Sequence, residues 1–139
     1  MNKSWIANGF TAANALFGGL SIMMSISGEY HVAAICILIA MAADAFDGRV
    51  ARALGTAGPM GVELDSLSDD ISFGVAAGAL MYSYQLRELG AFGFIPCALL
   101  GAFCAFRLAR FNVKVTSVHG YFEGLPCPTV GAIIACYVL

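Results

Sequence analysis

Apolar residues in this chain come in runs long enough to cross a bilayer, separated by short polar joins, and that alternation decides the fold class. The first run extends from about Phe10 to Ile26 and stops at Ser27-Gly28-Glu29. The second starts near His31, stays apolar to Ala43 and ends around Arg52. Gly55, Gly58 and Pro59 then break the helix. The third begins near Glu63 and runs to about Tyr84, after which the polar stretch from Gln85 to Glu88 turns the chain. The fourth covers roughly Ala91 to Phe111. A polar connection from Asn112 to Phe122 leads through Pro126 and Pro128 into a fifth segment, still apolar at Leu139 and barely long enough to cross a bilayer. The expectation is an all-α integral membrane protein forming a single domain over residues 1–139. It is a bundle of four complete transmembrane helices plus a partial or truncated fifth.

Composition excludes most alternatives. The chain is 60% hydrophobic and 12% charged, with a mean hydropathy of +0.82, whereas soluble domains carry about 25% charged residues. A water-soluble stack of helices is the competing reading, and the length of the apolar runs argues against it. The formal charge of −2 says little, because placement outweighs the sum. The first run is expected to stay in the membrane, since no small-residue cleavage motif clearly follows it, and Trp5 stands where an interfacial anchor would. Cys36, Cys97, Cys104, Cys127 and Cys136 lie mostly within apolar runs without CxxC spacing, which suits free thiols acting as small hydrophobes.

Basic residues orient the bundle. If the spans alternate, Lys3, Arg49, Arg52, Arg107, Arg110 and Lys114 share one side and Arg87 alone takes the other. The positive-inside rule then predicts a cytoplasmic amino terminus in a multi-pass protein of the plasma membrane.

Against this background the acids stand out. Asp44 and Asp47 are three residues apart, Asp65 and Asp69 four apart, so each pair occupies one helical face. The end of span two and the start of span three meet at the same membrane boundary, which brings the pairs together at the cytoplasmic side. Ionisable groups at a membrane span are costly and therefore usually functional. Clustered carboxylates without nearby His or Cys ligands suit a hard divalent ion, Mg²⁺ or Mn²⁺, and four are enough for two such ions acting on a phosphate substrate. One acid could be spared as a general base. Gly48 and Gly61 would let a nucleotide approach the backbone, and Arg52 would reach a diphosphate. The same glycines fit close helix packing, and Arg49 and Arg52 fit snorkelling at a membrane edge. A proton or cation pathway is the rival use of the acids. Asp70 lies 100° round the helix from Asp69 and is expected in a supporting or outward-facing position.

The full pattern Asp44-x2-Asp47-Gly48-x2-Ala51-Arg52-x8-Gly61-x3-Asp65-x3-Asp69 resembles the signature of the CDP-alcohol phosphotransferases at every specified position. That resemblance implies membrane enzymes that attack a CDP-linked lipid with an alcohol and release CMP, usually with six spans. It implies that Asp44, Asp47, Asp65 and Asp69 hold the metals, that Asp69 accepts the acceptor's proton, and that Gly48, Ala51, Arg52 and Gly61 form the cytidine diphosphate site. It also implies a homodimer. Gly18 and Gly19 in the first span offer close helix packing without identifying an interface.

LDSLSDDISFGVA, FRLARFNV, FEGLPCPTVG and TAANALFG are similar to segments of the phosphatidylserine and archaetidylserine synthase branch, with AAG where that branch more often has a proline. The substrates implied are CDP-diacylglycerol or CDP-archaeol and L-serine, with membrane lipid and no nucleic acid as further surroundings. Arg107 and Arg110 would clamp the serine carboxylate and Asn112 would add a polar contact, although the arginines equally suit an anchor for span four. Glycerol 3-phosphate or inositol phosphate is the alternative acceptor. A cation or proton carrier and an inactive partner subunit are the alternatives outside catalysis.

Overall fold

The computed structural model describes residues 4–55, 58–115 and 126–139, with side chains described for these except residues 4–7, 51, 52, 54, 114 and 115. All of the regular structure in them is helical. Helix α1, Ser4–Ile26, carries no proline and ends where the sequence supplies a glycine. Gly28 takes a φ of 84°. Glu29 N–H reaches back to the Met24 carbonyl at 2.9 Å and Gly28 N–H to Ser25 at 3.3 Å. These two bonds are a Schellman cap, which satisfies carbonyls that the helix end leaves over. The chain reverses into α2, Tyr30–Leu54, which stops at Gly55 with a φ of 63°.

Helix α1 packs on α2 through small residues. Ala33, Ala34 and Ala40 of α2 are fully buried, and the Ser21 hydroxyl donates to the Ala33 carbonyl at 2.9 Å across the pair. Small side chains let the backbones close in, which is how helices associate where lipid competes for every apolar surface.

Helix α3, Pro59–Asp69, opens on Gly58 with Pro59 in its first turn, where a missing N–H costs nothing. A π-helical turn over Asp70–Val75 follows without a break and passes directly into α4, Ala76–Tyr84. The expected third span is therefore one continuous helical run, starting earlier than Glu63 because Pro59 initiates it. Its wide turn begins immediately after Asp69, and such insertions are frequent beside functional sites.

Gln85, with φ −134°, ends that run, and a 3₁₀ stretch at Leu86–Gly93, broken at Gly90 with φ 59°, leads into α5. Helix α5 covers Phe94–Val115, so Asn112 to Val115 is helix rather than the start of the expected polar connection; residues 116–122 of that connection lie outside the described residues. Helix α6, Cys127–Val138, follows Pro126.

Polar groups point in and apolar ones point out. Thr11, Asn14, Ser21, Ser25, Ser68 and Ser72 are buried, while Phe92, Phe103 and Phe106 expose two thirds or more of their surface. A water-soluble stack would not leave so large an apolar surface uncovered. Among the described residues, Asn8–Ile26, Tyr30–Val50 and Leu86–Val113 are long and apolar enough to cross a membrane, and Cys127–Val138 is a shorter apolar helix. The run through α3 and α4 is not among the three, because Glu63, Asp65, Asp69 and Asp70 interrupt its apolar character. The chain has the all-helical build of an integral membrane protein. Its five cysteines are free thiols, as expected, though Cys136 is exposed rather than buried.

The interior is one buried cluster that joins Phe73 of the π turn, Ala33, Ile37 and Ala40 of α2, Ala77 and Leu80 of α4, and Ala135 and Val138 of α6. Gly131 permits this: a Cβ there would lie 2.7 Å from the Phe73 ring and 3.3 Å from its Cα. Gly78 meets α5 in the same way, since a Cβ would fall 2.7 Å from the Cys97 carbonyl oxygen. Gly18 packs inside this bundle against Ser72, and a Cβ at Gly19 would meet nothing within 4 Å among the described residues.

Candidate metal centre

Three of the four acids expected to meet do so. Asp44 comes from the second half of α2, Asp65 and Asp69 from successive turns of α3, and one carboxylate oxygen from each lies within 4.8 Å of the other two. Asp44 is within hydrogen-bonding reach of both Asp65 and Asp69. Three carboxylates this close repel strongly unless protons or cations stand among them.

Asp47 is buried one turn beyond Asp44. It is not one of the three that converge; its Oδ2 accepts a hydrogen bond from the Thr11 hydroxyl. Asp69 is buried as well, and its Oδ1 accepts from Asn14 Nδ2 at 3.0 Å. Asp70 turns away from the three, towards Cys104 and Gly74.

The donor set fits a divalent ion. It consists of carboxylate oxygens, the hard ligands that Mg²⁺ and Mn²⁺ take. Asp65 Oδ1 and Asn14 Oδ1 are buried with no hydrogen-bond partner among the described residues. Buried oxygens in that condition are expensive unless something positive or donating satisfies them.

Around the acids, the residues expected to hold a nucleotide are partly described. Gly48 is half-buried on α2 beside Asp47. Among the described residues, a Cβ at Gly61 would meet only Asn8 Oδ1, at 3.9 Å, so none of them packs tightly there. The side chains of Ala51 and Arg52 lie outside the described residues, and Arg49 is exposed.

The residues expected to bind the acceptor have different surroundings. Arg107 is half-buried and its Nη1 donates to Cys127 Sγ at 3.4 Å. It borders a cavity of about 130 Å³ whose other walls include Phe73, Leu100, Phe103 and Val130. Arg110 is exposed. Asn112 Nδ2 donates to the Ser66 hydroxyl at 2.9 Å, tying α5 to the helix turn between Asp65 and Asp69.

Sequence reasoning missed the contribution of α1. Thr11 and Asn14 hold two of the acids, and the Ser72 hydroxyl donates to the Asn14 carbonyl at 2.9 Å. A signal was present. Thr11, Asn14, Gly18, Ser21 and Ser25 recur at spacings of three and four, a stripe of polar and small residues that an apolar helix must turn inward.

A family model described as CDP-alcohol phosphatidyltransferase matches residues 4–139. A CDP-diacylglycerol–serine O-phosphatidyltransferase of Helicobacter pylori is 37% identical over 133 residues, which are 95% of this chain and 56% of the relative. One of Bacillus subtilis is 38% identical over 122 residues, 87% of this chain and 68% of the relative. An archaetidylserine synthase of Methanothermobacter thermautotrophicus is 39% identical over 128 residues, 91% of this chain and 54% of the relative. The chain thus spans about half to two thirds of the length of these relatives. No solved structure matches it.

Proposed function

This chain belongs to the CDP-alcohol phosphatidyltransferase family, and on that premise we propose that it transfers the phosphatidyl or archaetidyl group of a CDP-lipid to the hydroxyl of L-serine, releasing CMP. The observation that carries the reading is the convergence of Asp44, Asp65 and Asp69 in a chain whose relatives are named as serine phosphatidyltransferases and an archaetidylserine synthase.

In this reading Asp44, Asp47, Asp65 and Asp69 hold two divalent ions, and Thr11 fixes the rotamer of Asp47 through its hydroxyl. Bound there, the ions would neutralise charge on the diphosphate. Gly48 and Gly61 leave the α2 and α3 backbones open to the nucleotide, and Arg52 supplies a guanidinium for its phosphates. The serine oxygen forms a bond to the lipid-side phosphorus and the bridging P–O bond to CMP breaks. Asp69 accepts the hydroxyl proton. Arg107 and Arg110 offer cationic partners for the serine carboxylate. Asn112 acts through Ser66, holding the turn that presents Asp65 and Asp69. The acids face the cytoplasm in a multi-pass plasma-membrane protein, and two copies form a dimer.

The direct test is reconstitution of the purified chain with CDP-diacylglycerol, Mn²⁺ and one alcohol at a time, following CMP. CMP release with serine and not with glycerol 3-phosphate or inositol phosphate is the expected result. Release only with a phosphorylated alcohol would remove the serine assignment. Absence of release with any alcohol, from protein that binds no CDP, would remove the transferase assignment and favour a carrier.

A further inference from the structure

Asn14 is fully buried in the middle of α1, where an aliphatic side chain of the same size would pack without any polar cost. Its amide is half satisfied: Nδ2 donates to Asp69 Oδ1 at 3.0 Å, while Oδ1 has no partner among the described residues. Its backbone is held too. The Ser72 hydroxyl donates to the Asn14 carbonyl at 2.9 Å, and one turn on, a Cβ at Gly18 would lie only 2.9 Å from Ser72 Cα. Helix α1 is thus pressed against the helical run that carries Asp69, with Asn14 at the point of contact.

A carboxylate has one torsion that decides where its second oxygen points. With Oδ1 held by an amide N–H, that torsion is set, and the other oxygen is directed relative to Asp44 and Asp65. Resting on the reading of the site given above, we propose that Asn14 is a positioning residue for Asp69. It orients the carboxylate for the ion and for the acceptor hydroxyl, and it acts through Asp69 rather than on the substrate. Partners of this kind, one step removed from a ligand, typically govern metal affinity or activity by about 10–100-fold.

The test pairs Mn²⁺ binding with kinetics. Asn14→Leu keeps the branched shape, with methyl groups in place of the amide oxygen and nitrogen, and removes the donor. Asn14→Ser fits any space the asparagine fills, and its hydroxyl is too short to reach Asp69; it serves if the leucine variant does not fold. Either folded variant should bind Mn²⁺ more weakly by about 10-fold or more in an electron paramagnetic resonance titration. kcat should fall by a similar factor while KM for CDP-diacylglycerol stays within about threefold. Ser72→Ala, which removes the backbone tie and spares the amide, should retain Mn²⁺ affinity. Wild-type Mn²⁺ affinity in a folded Asn14 variant overturns the proposal, whatever its activity. So does an equal loss of Mn²⁺ affinity in Ser72→Ala, which would mark a purely structural contact. The Mn²⁺ titration does not depend on turnover. A wild-type chain that binds Mn²⁺ and releases no CMP would therefore sink the transferase reading alone.

Discussion

Asp69 and Asp44 lie in the same triad, yet their surroundings divide the work. Asp69 is the more buried and is held by Asn14, while Asp44 stands between both acids of α3. Asp69→Asn should therefore lower kcat by about 10²–10⁴-fold, the range for losing a general base, with CDP-lipid binding partly retained. Asp44→Asn should weaken Mn²⁺ and nucleotide binding together, and calorimetric titrations of both variants check the difference. Equal loss of nucleotide affinity in the two would contradict separate roles. Arg107→Ala should raise KM for serine by about 10-fold, the cost of roughly 1.4 kcal/mol from a charge-assisted contact; an unchanged KM moves the acceptor pocket elsewhere. At this scale the meeting of Asp44 with Asp65 and Asp69 was legible, because their spacing and the chain's alternation put those faces together, while Asp47, expected with them, stands one turn away beside Thr11. Asn14 and Thr11 are harder to read, since their stripe of small and polar residues marks an inward face of α1 without naming the acids it meets. The tie from Asn112 to Ser66 depends on how α5 meets α3, which no local pattern encodes.

Elements follow from the sequence where a residue type forces them. Gly28 and Gly55 end α1 and α2 through positive φ, and Pro59 starts α3 four residues before the expected Glu63, where a missing N–H costs nothing. The π turn at Asp70–Val75 had no such marker; it carries Phe73, which fits closely against Gly131. That fit makes its own prediction. Gly131→Val would drive a side chain into the Phe73 ring and backbone, and overpacking of this kind costs about 1–3 kcal/mol. Thermal unfolding in detergent should show the loss, and Phe73→Leu in the same chain should recover part of it by vacating the ring.

For the whole molecule, the outward apolar surface and the inward polar one belong to a single solvent, the bilayer. Leu99 is near the middle of the Leu86–Val113 segment and exposed. Leu99→Lys should disfavour insertion of α5 by about 3 kcal/mol, read as a shift from integrated to translocated product in a membrane-insertion assay. Removing divalent ions with a chelator should lower the unfolding temperature, and Mn²⁺ at about 100 times its Kd should return about 2.7 kcal/mol. A melting curve indifferent to Mn²⁺ would mean that the acids hold no ion. The fold class was legible throughout, because apolar runs of this length have one use; the way the helices seat against one another was not, since it rests on which glycine faces which ring. The wide turn after Asp69 has a last consequence. It is a phase-setter: with one residue deleted between positions 70 and 75, the strand of helix beyond would swing by about 100°, and the chain would have to choose between keeping its carboxylates gathered and keeping Leu80 out of the lipid.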